Sequence, residues 1–227
     1  MHIPDGFLSP EAASATALAS VAAVGYGLRT ASETLDERRV PLLGVTGAFI
    51  FAAQMLNFPV AGGTSGHFLG AALAAILLGP WLACLTMAVV LSLQAFVFAD
   101  GGITALGANV LNMGVLGALL VGGLMLVSRR VLPKSRTTLL AITAVGAWLA
   151  VMVGATATAL ELALSGTVPL GTVLPAMLGV HSVIAIGEAV VTVGAVAAVL
   201  AARPDLIAIS DLTDAELTMP APVLEGV

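Results

Sequence analysis

The chain has 227 residues, 59% of them hydrophobic and 9% charged, with a mean hydropathy of +1.09. These values exclude an ordinary soluble domain and describe a polytopic membrane protein, rich in the small residues that let helices approach closely in lipid. The formal charge of −5 sits mostly in loops and the tail, and the single cysteine, Cys84, excludes an internal disulfide. No nucleic-acid partner is expected.

Apolar runs of helical length cover residues 10–28, 41–57, 68–79, 81–98, 106–128, 137–164 and 174–202. They predict an all-α fold of seven transmembrane helices surrounded by membrane lipid. Residues 68–98 are almost unbroken and as one helix would measure about 46 Å, against a hydrocarbon core of about 30 Å. Gly79-Pro80 is a helix-stop signal in the middle of this stretch, so it divides into a short span and a normal one. With seven spans, all eight basic residues fall on one side of the membrane: Arg29, Arg38 and Arg39; Arg129, Arg130, Lys134 and Arg136; and Arg203. That side is the cytoplasm by the positive-inside rule, which puts the N-terminus outside and the C-terminus inside. Residues 1–203 then form a single membrane domain, and residues 204–227 an acidic, weakly ordered cytoplasmic tail.

The same topology brings four distant segments to the outer end: Met1-His2, the loop of residues 58–67, Asp100-Gly101-Gly102 and the loop of residues 165–173. The N-terminus lacks the basic start of a secretory signal and carries Asp5 and Glu11, so it is expected to stay uncleaved despite Ala13-Ser14-Ala15. Met1 is expected to remain, since His2 is too large for methionine trimming. The α-amino group, the amide nitrogen of His2 and the His2 imidazole lie on one short tether and can close a five- and a six-membered chelate ring. His67, in Gly62-Gly63-Thr64-Ser65-Gly66-His67, can supply a fourth nitrogen, and the glycines of that loop permit close approach of another backbone. Four nitrogens in a plane suit Ni(II) or Cu(II).

Other polar residues stand inside apolar runs, where such groups generally face the bundle interior. His181 and Glu188 are seven apart and share a helix face. They are expected to support the site by packing or hydrogen bonds, as are Asn57, Thr64 and Ser65. Gln94, Glu161, Asn109 and Asn112 belong to the same class, with the last two sharing a face. The small-residue patterns Ala15/Ala19/Ala23 and Gly66/Gly70 are expected to serve packing within the chain. There is one lysine, Lys134, without a phosphate-binding Gly-x-x-x-x-Gly-Lys context, and neither a His-Glu-x-x-His motif nor a nucleophile elbow. The chain is therefore not expected to be an enzyme or to hydrolyse ATP. A stand-alone channel or carrier would show acidic residues along the membrane depth, whereas a membrane scaffold would be indifferent to metal.

Met1 to Leu8, Asn57-Phe58-Pro59-Val60 with Gly63-Thr64-Ser65-Gly66-His67, and His181 through Glu188-Ala189 resemble the CbiM/NikM family. These are the metal-capturing membrane subunits of energy-coupling-factor cobalt and nickel importers in the prokaryotic cytoplasmic membrane. The resemblance implies a seven-helix component that holds Ni(II) or Co(II), as transported substrate and not permanent cofactor, through Met1, His2 and His67. It also implies a transmembrane coupling subunit, two cytoplasmic ATPases and a small accessory membrane protein as partners.

Overall fold

The computed structural model describes residues 1–35, 37–60 and 64–208. Seven helices follow one another: α1 (Pro10–Thr34), α2 (Val40–Gln54), α3 (Ala71–Leu78), α4 (Pro80–Phe98), α5 (Leu106–Val131), α6 (Arg136–Leu164) and α7 (Leu170–Ala202). Four of them, α4 to α7, are long and apolar enough to cross a membrane, while α2 is apolar but shorter.

Local sequence accounts for the helix boundaries. Ser9 caps α1 by accepting a hydrogen bond from the Ala12 amide at 3.3 Å, with Pro10 in the first turn where its missing N–H costs nothing. Ser135 caps α6 in the same way, on Thr138. The break between α3 and α4 falls at Gly79, whose φ of 86° and ψ of 157° are open essentially to glycine alone, and Pro80 starts the next helix.

Helix α3 departs most from the sequence expectation. Its eight residues are all buried and reach only about 12 Å, so it does not cross a hydrocarbon core by itself. It is packed on α4, α5, α6 and α7 instead of facing lipid. An unbroken apolar run looks the same in a sequence whether protein or lipid surrounds it. The loop of residues 58–67 is a second departure, since Asn57–Val60 and Thr64–His67 pair as an antiparallel hairpin, β1 and β2, with Asn57 opposite His67. Apart from this hairpin, the N-terminal residues 1–9 and the connecting loops, the described chain is helical.

Helices α6 and α7 lie along one another, about 43 and 50 Å long at their 29 and 33 residues. Helix α5 contains a π-helical turn at Leu111–Val115, a feature that often marks a functional site. Ile207 is buried in the core just past the 3₁₀ turn Pro204–Leu206. The acidic tail beyond residue 208 lies outside the described residues.

Candidate metal centre

The N-terminal segment is threaded into the bundle. Met1 and Ile3 are 0% exposed and His2 is 5% exposed. Backbone groups buried this deeply need partners, and Ile3 has them. Its N–H donates to Asn109 Oδ1 at 2.8 Å, and its carbonyl accepts from Asn109 Nδ2 at 3.1 Å and from the Gly102 amide at 2.8 Å. Further along, Asp5 Oδ1 accepts from the amide and the hydroxyl of Thr104, at 2.7 and 2.6 Å, and the Thr167 hydroxyl donates to the Phe7 carbonyl. Two glycines make the room. A Cβ on Gly102 would lie 2.6 Å from the Pro4 carbonyl carbon, and one on Gly154 would lie 3.4 Å from Met1 Sδ and 2.7 Å from the Asn112 carbonyl oxygen.

This threading stacks His2 on His67, with ring centroids 4.6 Å apart and planes 29° apart. The tautomers follow from the hydrogen bonds, because a carbonyl oxygen can only accept. His67 Nδ1 stands 2.7 Å from the Phe68 carbonyl and must donate. His67 Nε2 therefore keeps its lone pair, buried and without a hydrogen-bond partner. For His2 the direction is set at a distance. Gln54 Nε2 donates to the Leu69 carbonyl at 2.7 Å, Gln94 Nε2 donates to Gln54 Oε1 at 2.8 Å, and Gln94 Oε1 faces His2 Nε2 at 3.1 Å. The Leu69 carbonyl fixes the order of the whole chain, so His2 Nε2 donates and Nδ1 carries the lone pair. Nδ1 is the nitrogen that closes a six-membered ring with the amide of its own residue.

Burial also favours the unprotonated nitrogens a metal requires. It lowers the Met1 amine from 8.0 to about 5, opposed by the charge of Asp100. It lowers His2 from 6.5 to about 4, helped by the nearby amine and opposed by Asp100 and the Gln94 contact. His67 lies well below its ordinary value, first through burial and then through the amine and His2, with His181 adding a smaller push. Among the described residues no group of three His, Cys, Asp or Glu side chains is already arranged around a common ion position.

Of the residues expected from sequence, Met1, His2 and His67 come together. Glu188 accepts from the Leu69 and Gly70 amides at 2.7 and 2.8 Å and so fixes the chain just after His67. His181 Nδ1 donates to the Met177 carbonyl at 2.8 Å. The side chains of Asn57, Thr64 and Ser65, like Gly62 and Gly63, lie outside the described residues. Asn109 and Asn112 have separate tasks, for Asn112 Nδ2 donates to Glu161 Oε2 at 2.6 Å and to Thr158 Oγ1 at 3.3 Å. Gln54 was not singled out by sequence reading and Gln94 only as a buried polar group. Their shared signal is a glutamine inside an apolar run, which needs a polar partner.

A buried cluster of unprotonated nitrogens suits a borderline transition-metal cation. The family model CbiM, "Cobalt uptake substrate-specific transmembrane region", matches residues 2–206. The chain belongs to the CbiM family. A Haloquadratum walsbyi protein named for metal transport is 44% identical to it over 91% of this chain and 93% of its own length. A Rhodobacter capsulatus protein named as a fused nickel transport protein is 36% identical over 92% of this chain and 64% of its own length. The crystal structure of a truncated transition metal transporter superposes with a TM-score of 0.81 at 33% identity, covering 88% of this chain and 99% of that one. Both relatives are named for metal transport, and the cobalt-uptake transmembrane region spans nearly the whole of this chain.

Proposed function

We propose that the chain captures Ni(II) or Co(II) as the substrate-specific membrane subunit of an energy-coupling-factor importer in a prokaryotic cytoplasmic membrane. The ligands are the Met1 amine, the amide nitrogen and Nδ1 of His2, and Nε2 of His67. The observation that carries this reading is the convergence of two imidazoles with oriented lone pairs on a buried N-terminus. Glu188 and Gln54 hold the segment that presents His67, and Asn109 holds the segment that presents His2. A transmembrane coupling subunit, two cytoplasmic ATPases and a small accessory membrane protein supply the parts this chain lacks, consistent with its missing phosphate-binding loop. The metal end faces outward and the arginine-rich end faces the cytoplasm. Four nitrogens in one plane favour Ni(II) over harder cations.

The test is an N-terminal extension. One residue placed ahead of Met1 shifts the amine by one residue length, about 3.3–3.6 Å, and destroys the five-membered ring while both imidazoles remain. Calorimetry of the purified chain with Ni(II) or Co(II) is expected to show high-affinity binding that the extension abolishes. An extended protein that binds as tightly as the native one refutes the chelate.

A further inference from the structure

Asp100 faces the centre without a task assigned so far. It follows Ala99, the only non-glycine among the described residues with positive φ, 52°. This turn carries the chain back so that the Asp100 amide donates to the Gln94 carbonyl at 3.0 Å. Gln94 thus fixes Asp100 through its backbone and His2 through its side chain. Asp100 Oδ1 lies 3.3 Å from His2 Nδ1, while Oδ2 is buried with no hydrogen-bond partner.

The glutamine chain makes His2 Nδ1 a lone pair, so a nitrogen acceptor faces a carboxylate oxygen with no proton between them. Two acceptors so placed repel unless a cation stands beside both. A metal dication bound at Nδ1 is such a cation. Bound by a neutral amine, two neutral imidazoles and one deprotonated amide, it would leave one uncompensated positive charge in a buried site, which is costly. One carboxylate cancels it.

We propose that Asp100 is the anionic partner of the captured cation, its Oδ1 contacting the ion held at His2 Nδ1 and making the loaded site neutral. The inference rests on the Met1–His2–His67 reading above. The spacing suits it. Donors at right angles on one ion, each about 2.0–2.1 Å away, stand about 2.9 Å apart, so a shift of a few tenths of an ångström brings Oδ1 into contact.

The test is Asp100→Asn, which keeps the shape and removes the charge, titrated with nickel chloride and cobalt chloride by calorimetry on the purified full chain. Binding is expected to weaken by at least about 100-fold, the upper end of what losing a supporting partner of a metal site costs, with little change in thermal unfolding without added metal. An affinity within about threefold of native overturns the proposal. A second measurement avoids the variant. The infrared difference spectrum of the native chain with and without Ni(II), labelled with ¹³C at aspartate carboxylates, is expected to show an aspartate band shifting, and a spectrum with none overturns the proposal. Loss of binding on N-terminal extension with Asp100→Asn unaffected defeats this inference alone. Binding untouched by the extension defeats the chelate and this inference with it.

Discussion

The N-terminus is held in the bundle by few groups, and Asn109→Ala removes the central one. Asn109 satisfies Ile3 on both sides, at 2.8 and 3.1 Å, and Ile3 is 0% exposed. After truncation the Ile3 carbonyl still accepts from Gly102 at 2.8 Å, but the Ile3 N–H is left buried without a partner. An orphaned buried donor costs about 1–3 kcal/mol and the second lost bond about 1 kcal/mol net. The total of about 2–4 kcal/mol shifts the docked-to-undocked ratio by roughly 30- to 1,000-fold at about 1.4 kcal/mol per decade. Hydrogen exchange of residues 2–8, read by mass spectrometry in detergent without added metal, should accelerate accordingly unless global unfolding already limits it. Ni(II) affinity should fall in the same variant. Thr104→Val is the control. It leaves the Thr104 backbone bond to exposed Asp5 and should cost less than about 1 kcal/mol. If Asn109→Ala exchanges and binds like native protein, the clasp does not hold the site.

Acidification gives a second prediction, with a definite sign. The docked amine is lowered from 8.0 to about 5 and His2 from 6.5 to about 4, both chiefly by burial. The undocked segment therefore binds more protons, and docking is strongest above pH 8. The amine weakens it as pH falls from 8 toward about 5, at up to about 1.4 kcal/mol per pH unit, and His2 adds to the loss between 6.5 and about 4. Exchange protection of residues 2–8 that stays flat from pH 8 to 5 would contradict this account. Topology gives a third: Ile103→Cys, at an exposed site beside Gly102, should react with an impermeant thiol reagent from outside, and Lys134→Cys only after permeabilisation. The native Cys84 is buried and should stay silent, and equal access at both positions would sink the proposed orientation.

The number of helices was legible in the sequence because apolar run length and the Gly79-Pro80 break are local properties. The break falls where the Gly-Pro pair puts it, since no other residue adopts that backbone so easily. The status of α3 was not legible, for its eight apolar residues read as a span whether lipid or protein covers them. Met1 and His2 could be named as candidates from chelate chemistry, because ring size depends only on covalent distance along the chain, and His67 from its place in a glycine-rich loop at the same end of the bundle. Their surroundings could not. Gln54, Gln94 and Asp100 matter through the direction of a hydrogen-bond chain that ends on the Leu69 carbonyl, and direction is a property of contacts between helices. Asn109 and Asn112 share a helix face in sequence, yet one clasps the N-terminus and the other reaches α6. Only the packing of α5 against both decides which amide meets which partner.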